Sequence, residues 1–137
     1  MPAMPTLAAT CAFIPRTNQN VMRLRILSDL HLEFGLPWRW PEDRENYDLI
    51  VAAGDIETSC PKAVEALAGL GPTAFVPGNH EHYQRLFQDN IDAGRAAAAG
   101  TNVTFLARDV AIIDGVRFVG ATLWTDYALH RTAKPSM

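Results

Sequence analysis

The stretch D-L-I-V-A-A-G-D, Asp48 to Asp55, sets the reading of the whole chain. Leu49 to Ala53 are uninterrupted apolar residues, a run of strand length, closed by Gly54-Asp55. A strand that is apolar without alternation is covered on both faces, as happens when a parallel sheet lies between two layers. Working backwards, M-R-L-R-I-L-S-D, Met22 to Asp29, alternates charged and apolar residues and then turns apolar, as a strand entering a sheet does. Working forwards, T-A-F-V-P-G-N, Thr73 to Asn79, is a second continuous apolar strand. Helical text lies between and after these runs. Ser59 can cap a helix with Pro61 in its first turn, and A-V-E-A-L-A-G-L places Val64, Leu67 and Leu70 at helical spacing before Gly71 ends it. Tyr83 to Ala99 predicts a second helix, with Leu86, Phe87, Ile91 and Gly94 on one stripe. Strand, helix, strand, helix is the order of βαβ units, so the fold class is α/β with a mainly parallel sheet and right-handed crossovers.

After Gly100 the text reads as strands alone. V-T-F-L-A is one, and V-A-I-I-D-G-V-R-F-V-G is a C-terminal hairpin with Asp114-Gly115 as its two-residue turn. G-A-T-L-W is expected to continue the last strand toward Trp124. The first 20 residues lack the basic start and longer apolar core of a signal peptide, so residues 1–21 read as a disordered extension before the domain.

Composition narrows the function classes. The chain has 137 residues, one domain's worth, with 48% hydrophobic and 20% charged residues, as in globular proteins. A net charge of -3 argues against nucleic-acid binding through a basic face. No apolar run reaches the length of a membrane span. Two cysteines, Cys11 and Cys60, are too few and too distant for a disulfide framework or a zinc site. A reduced, cytoplasmic setting is the expectation.

Ligands of open α/β sheets sit outside the carboxyl ends of the strands. The three strand ends here carry Ser28-Asp29-Leu30-His31, Gly54-Asp55 and Gly78-Asn79-His80-Glu81. One rim therefore receives three carboxylates, two imidazoles and an amide. Asp29 and His31 are two residues apart, so in extended backbone both side chains point the same way and could grip one ion. Asp55 stands where a carboxylate can bridge two ions. Asn79 would add a neutral oxygen that leaves room for an anionic substrate. Mixed oxygen and imidazole donors suit manganese, iron or zinc better than an all-oxygen calcium or magnesium cage. Taken singly, an Asp after a strand is more often a turn residue, and His82 and His130 read as ordinary surface or core histidines.

The blocks D-L-H, G-D and G-N-H-E, with M-R-L-R-I-L-S-D-L-H-L-E-F, L-I-V-A-A-G-D-I, F-V-P-G-N-H-E-H-Y and G-A-T-L-W-T-D-Y around them, resemble the calcineurin-like metallophosphoesterases, specifically the small bacterial members. The resemblance runs from about Met22 to Tyr127. It implies a metal-dependent hydrolase of phosphate mono- or diesters, built on a sandwich of two sheets flanked by helices. It further implies a binuclear centre of two divalent ions, with manganese preferred. Carried over by position, Asp29 and His31 bind the first metal, Asp55 bridges, and Asn79 binds the second. His80 contacts the substrate phosphate and serves as acid to the leaving oxygen, with Glu81 beside it as an orienting partner.

The family pattern continues with another histidine and a G-H-x-H block, and neither follows Trp124, where the only histidine is His130. The expectation is that residues 22–137 form the N-terminal part of a metallophosphoesterase domain. An alternative is a truncated, non-catalytic remnant, inactive alone or acting through self-association or completion by another chain. The loop P-W-R-W-P, Pro37 to Pro41, could stack on an aromatic leaving group or simply pack on its own prolines.

Overall fold

The fold is that of a computed structural model, which describes residues 21–35, 39 and 46–125. The P-W-R-W-P loop (apart from Arg39), His130 and the N-terminal extension up to residue 20 lie outside the described residues. Strands β1 (Leu24–Leu27), β2 (Leu49–Ala52), β3 (Thr73–Phe75) and β4 (Val103–Phe105) form one sheet in that order. All three pairings are parallel, with Leu24 opposite Leu49, Ile50 opposite Thr73, and Thr73 opposite Val103. Helix α1 (Cys60–Leu67) connects β2 to β3, and α2 (Phe87–Ala98) connects β3 to β4. Strands β5 (Asp109–Ile113) and β6 (Val116–Gly120) form a separate antiparallel hairpin. The α/β sandwich with a C-terminal hairpin is as the apolar runs predict.

The alternation of side chains across β2 and β3 assigns the two layers. Ala52 and Phe75 face the helices and join Ile56, Cys60, Val64, Leu67, Ile91 and Phe105 in the main core. Leu49, Val51 and Ala74 face the other way and meet Leu106 with Ala111, Ile113 and Phe118 of the hairpin. Both faces of the central strands are thus covered, which is why their sequences carry no polar alternation. Edge strand β1 is different. Its Leu24 and Ile26 are exposed, while Arg25 lies over the Tyr47 ring at 5.2 Å.

Three boundaries depart from expectation. Helix α2 begins at Phe87 rather than Tyr83, because His80–His82 first makes its own 3₁₀ turn and Tyr83 leaves it in extended backbone. Its buried stripe is Asn90, Ile91, Gly94 and Ala98, with Leu86 exposed. Helix α1 ends at Leu67, four residues before Gly71. Strand β6 stops at Gly120, and residues 121–125 lie outside any strand; Thr122 Oγ1 donates to the Pro77 carbonyl at 2.7 Å, tying that segment to the turn after β3. The hairpin turn is as predicted: Asp114 and Gly115 both have positive φ, at 47° and 77°, the two-residue geometry that matches strand twist.

Candidate metal and phosphate site

The three strand ends meet through backbone contacts before any side chain is considered. The N–H groups of Asp29, His31 and Leu32 donate to the carbonyls of Gly54, Asp55 and Ile56, so the segment after β1 runs alongside the segment after β2. The His80 N–H donates to Asp55 Oδ1 at 2.9 Å, which binds the turn after β3 to the same place. Gly54 and Gly78 permit the approach. A Cβ on Gly54 would lie 2.5 Å from the Gly78 backbone, and one on Gly78 would collide with the Asp55 carboxylate.

Asp29, His31 and Asp55 come together as expected, but by a different route. The expectation was an extended backbone. Instead all three sit in the left-handed region, with φ of 55°, 44° and 56°. Asp tolerates this conformation better than most residues, and non-glycine residues in it cluster at functional sites. Their ligand atoms all lie within 4.8 Å of one another.

A second group shares His31. Glu33 Oε1 lies 3.2 Å from His31 Nδ1 and 2.5 Å from His80 Nε2. The ligand atoms of His31, Glu33 and His80 also fall within 4.8 Å of one another, and the two imidazoles meet edge to face at 4.6 Å. Burial pushes the Glu33 carboxyl up, but its own backbone N–H and the hydrogen bonds of His31 and His80 outweigh that and hold it below its ordinary value. Glu33 was not singled out from the sequence. The sequence does carry a signal for it: Asp29, His31 and Glu33 follow one another at intervals of two.

Asn79 caps the 3₁₀ turn that carries His80. Its amide nitrogen donates to the Tyr83 hydroxyl at 2.6 Å, so its carbonyl oxygen is the atom that could meet a cation. Asn79 and Tyr83 also line an open cavity of about 350 Å³ with Leu123, Trp124 and Thr125.

Glu81 is placed differently from the expectation of a partner beside His80. It is fully buried, and its carboxylate accepts from the backbone N–H groups of Asp55 (3.0 Å), Ile56 (2.6 Å), Glu57 (3.2 Å) and Gly78 (2.7 Å). Successive residues of a 3₁₀ turn point about 120° apart, so neighbours in sequence there do not share a direction. The carboxylate clamps the turn after β2 to the turn after β3. His82 also turns inward. Its Nδ1 meets Asn90 Nδ2 at 3.1 Å and its ring packs on Phe87, and burial pushes its pKa down. That is the ordinary core histidine of the sequence reading.

The residues fit a divalent cation on the structure's own terms. Two carboxylates and an imidazole bring ligand atoms within 4.8 Å of one another, a donor set that suits a divalent transition-metal cation. Among the described residues Glu33 Oε2 is buried with no hydrogen-bond partner, as is His82 Nε2, and a buried polar atom of this kind calls for an explanation. The Gly78 backbone leaves just enough room for the Asp55 carboxylate.

With this geometry in hand, the comparison with known families is direct. The family model described as the calcineurin-like phosphoesterase superfamily domain matches residues 22–131. The chain belongs to that family of metal-dependent phosphoesterases. No curated protein matches it significantly. Among the described residues, no helix is long and apolar enough to cross a membrane.

Proposed function

We propose that this chain hydrolyses phosphate mono- or diesters at a binuclear metal site, with manganese as the preferred ion. The observation that carries this reading is the convergence of Asp29, His31 and Asp55 within 4.8 Å on left-handed backbone, with His80 adjoining them. In this reading Asp29 and His31 hold the first ion, Asp55 contacts both, and Asn79 holds the second through its carbonyl oxygen. Divalent ions there would neutralise the phosphate oxygens and lower the pKa of water toward neutrality. His80 takes the phosphate side and delivers a proton to the departing oxygen, a task suited to an imidazole. Its backbone N–H is already fixed on Asp55 Oδ1, so acid and bridging carboxylate are held in register. Glu81 reaches no reacting atom in this account and instead fixes the spacing of the two turns.

Metal stoichiometry tests the binuclear reading. Titration with Mn²⁺, followed by electron paramagnetic resonance, should load two ions per chain with the broadened signal of a coupled pair. Asp55→Asn should abolish the coupling. A chain that takes up no Mn²⁺ would contradict the reading.

A second reading has its own observation. Val110, Ile112 and Val119 of the hairpin stand 60–73% exposed, and Leu24 and Ile26 are exposed on β1. Apolar residues in such number favour a chain that works through association with another copy or another polypeptide. It differs from the first in requiring no metal-dependent turnover.

A further inference from the structure

Among the described residues, Glu33 is the carboxylate that contacts both imidazoles, and the sequence pattern of the family blocks gives it no role. Its Oε1 faces His31 Nδ1 at 3.2 Å and His80 Nε2 at 2.5 Å. Both rings are partly buried, and Glu33 is the more enclosed of the three, its side chain only 14% exposed against 28% for His31 and 21% for His80. Edge-to-face packing of the two rings at 87° directs different edges toward one oxygen, which a random surface contact would not do.

We infer that Glu33 is a positioning residue that fixes the tautomer and orientation of His31 and His80 together, so that His31 offers Nε2 to the cation held with Asp29 and Asp55. The inference rests on the metal-site reading above. A neutral imidazole has one N–H and one lone pair, and the partner of one nitrogen decides what the other can do. With Nδ1–H donated to Glu33, His31 keeps its lone pair on Nε2. That is the usual arrangement of a metal-binding histidine, whose second nitrogen donates to a carboxylate. The same oxygen takes the Nε2–H of His80, so Nδ1 is the nitrogen that takes up a proton before His80 delivers one to the departing oxygen. One carboxylate thereby sets two rings with different tasks. The shared oxygen also accounts for the backbone: φ of 44° at His31 starts the 3₁₀ turn Leu32–Phe34, which brings Glu33 back toward its neighbour two residues before it.

The test begins without any metal. Nitrogen-15 labelled histidine in the metal-free 137-residue chain, observed by long-range proton–nitrogen correlation where both rings are neutral, reports which nitrogen carries each proton. The expected pattern is Nδ1–H on His31 and Nε2–H on His80. Glu33→Ala should shift both rings toward mixed tautomers, and Glu33→Gln, which keeps an acceptor oxygen, should restore much of the pattern. Mn²⁺ binding should weaken by roughly 10–100-fold in Glu33→Ala and by less in Glu33→Gln. The opposite tautomer on His31, or rings and Mn²⁺ affinity left unmoved by Glu33→Ala, would overturn the inference. A wild-type chain that shows the expected tautomers but binds no Mn²⁺ would sink the metal-site reading and, with it, the claim that Nε2 serves a cation.

Discussion

Glu81 accepts four backbone N–H bonds, from Asp55, Ile56 and Glu57 after β2 and from Gly78 after β3, and it does so at full burial. Removing the carboxylate leaves those donors unsatisfied, Ile56 in a buried contact and Asp55, Glu57 and Gly78 in part-buried ones. Each such loss costs on the order of 1–3 kcal/mol. Glu81→Ala should therefore lower stability by roughly 3 kcal/mol or more in urea denaturation, whereas a loss under about 1 kcal/mol, the size of one ordinary hydrogen bond, would show that the clamp is not structural. At this scale the candidate residues were legible as a group. Asp29, His31, Asp55, Asn79 and His80 are visible as polar residues that end apolar strands, and the structure brings them to one rim. The reason they meet was not legible. Asp and His adopt the left-handed region without requiring glycine, so nothing in the letters marks Asp29, His31 and Asp55 as leaving the extended conformation. Glu81 was assigned to His80 because it is the next residue, and the intervening 3₁₀ turn sends its side chain elsewhere.

The elements owe their positions to close contacts between small or buried groups. Helices α1 and α2 meet where Gly94 faces Cys60 and Phe105; a Cβ on Gly94 would come within 2.6 Å of the Cys60 Cβ. Asn90 stitches the same contact, accepting from the Cys60 N–H at 3.2 Å and donating to the Glu81 carbonyl at 2.9 Å, so the helix pair is linked to the turn after β3. Burial here pushes the Cys60 thiol up to about 12 from 9.0, with the Glu81 charge adding to the effect. The folded state then binds more protons than the unfolded state between those values. The Cys60 contribution is whole below 9.0 and is lost as pH rises toward about 12, at a slope of up to about 1.4 kcal/mol per pH unit. Urea denaturation near neutrality and again above pH 9 should show wild type losing stability faster than Cys60→Ala. Parallel slopes in the two proteins would contradict the burial argument. Strand and helix identities were readable from apolar runs and caps. The start of α2 was not, because Leu86 and Phe87 fit a helical stripe that the chain does not bury.

Across the whole molecule, the parallel sheet serves as a platform. Its carboxyl edge gathers the three turns, its helical face supplies the main core, and its other face seats the hairpin. The sandwich follows from the sequence because central strands covered on both sides leave a plain signature. The exposed face of β5–β6 leaves a weaker one: Val110, Ile112 and Val119 read as core residues of a strand, and only the packing shows which side lacks a cover. The two readings of function therefore share one fold and separate on chemistry alone.

The decisive measurement is Mn²⁺-dependent release of nitrophenol from mono- and bis-nitrophenyl phosphate by the purified 137-residue chain, with Asp55→Asn alongside. Asparagine retains an Oδ1 that can accept the His80 N–H, so the variant should stay folded while losing the charge that serves both ions. The account expects turnover in the wild type and its loss, by at least about 100-fold, in the variant. A folded wild type without turnover, or equal turnover in both proteins, would contradict it and leave association as the function of this chain.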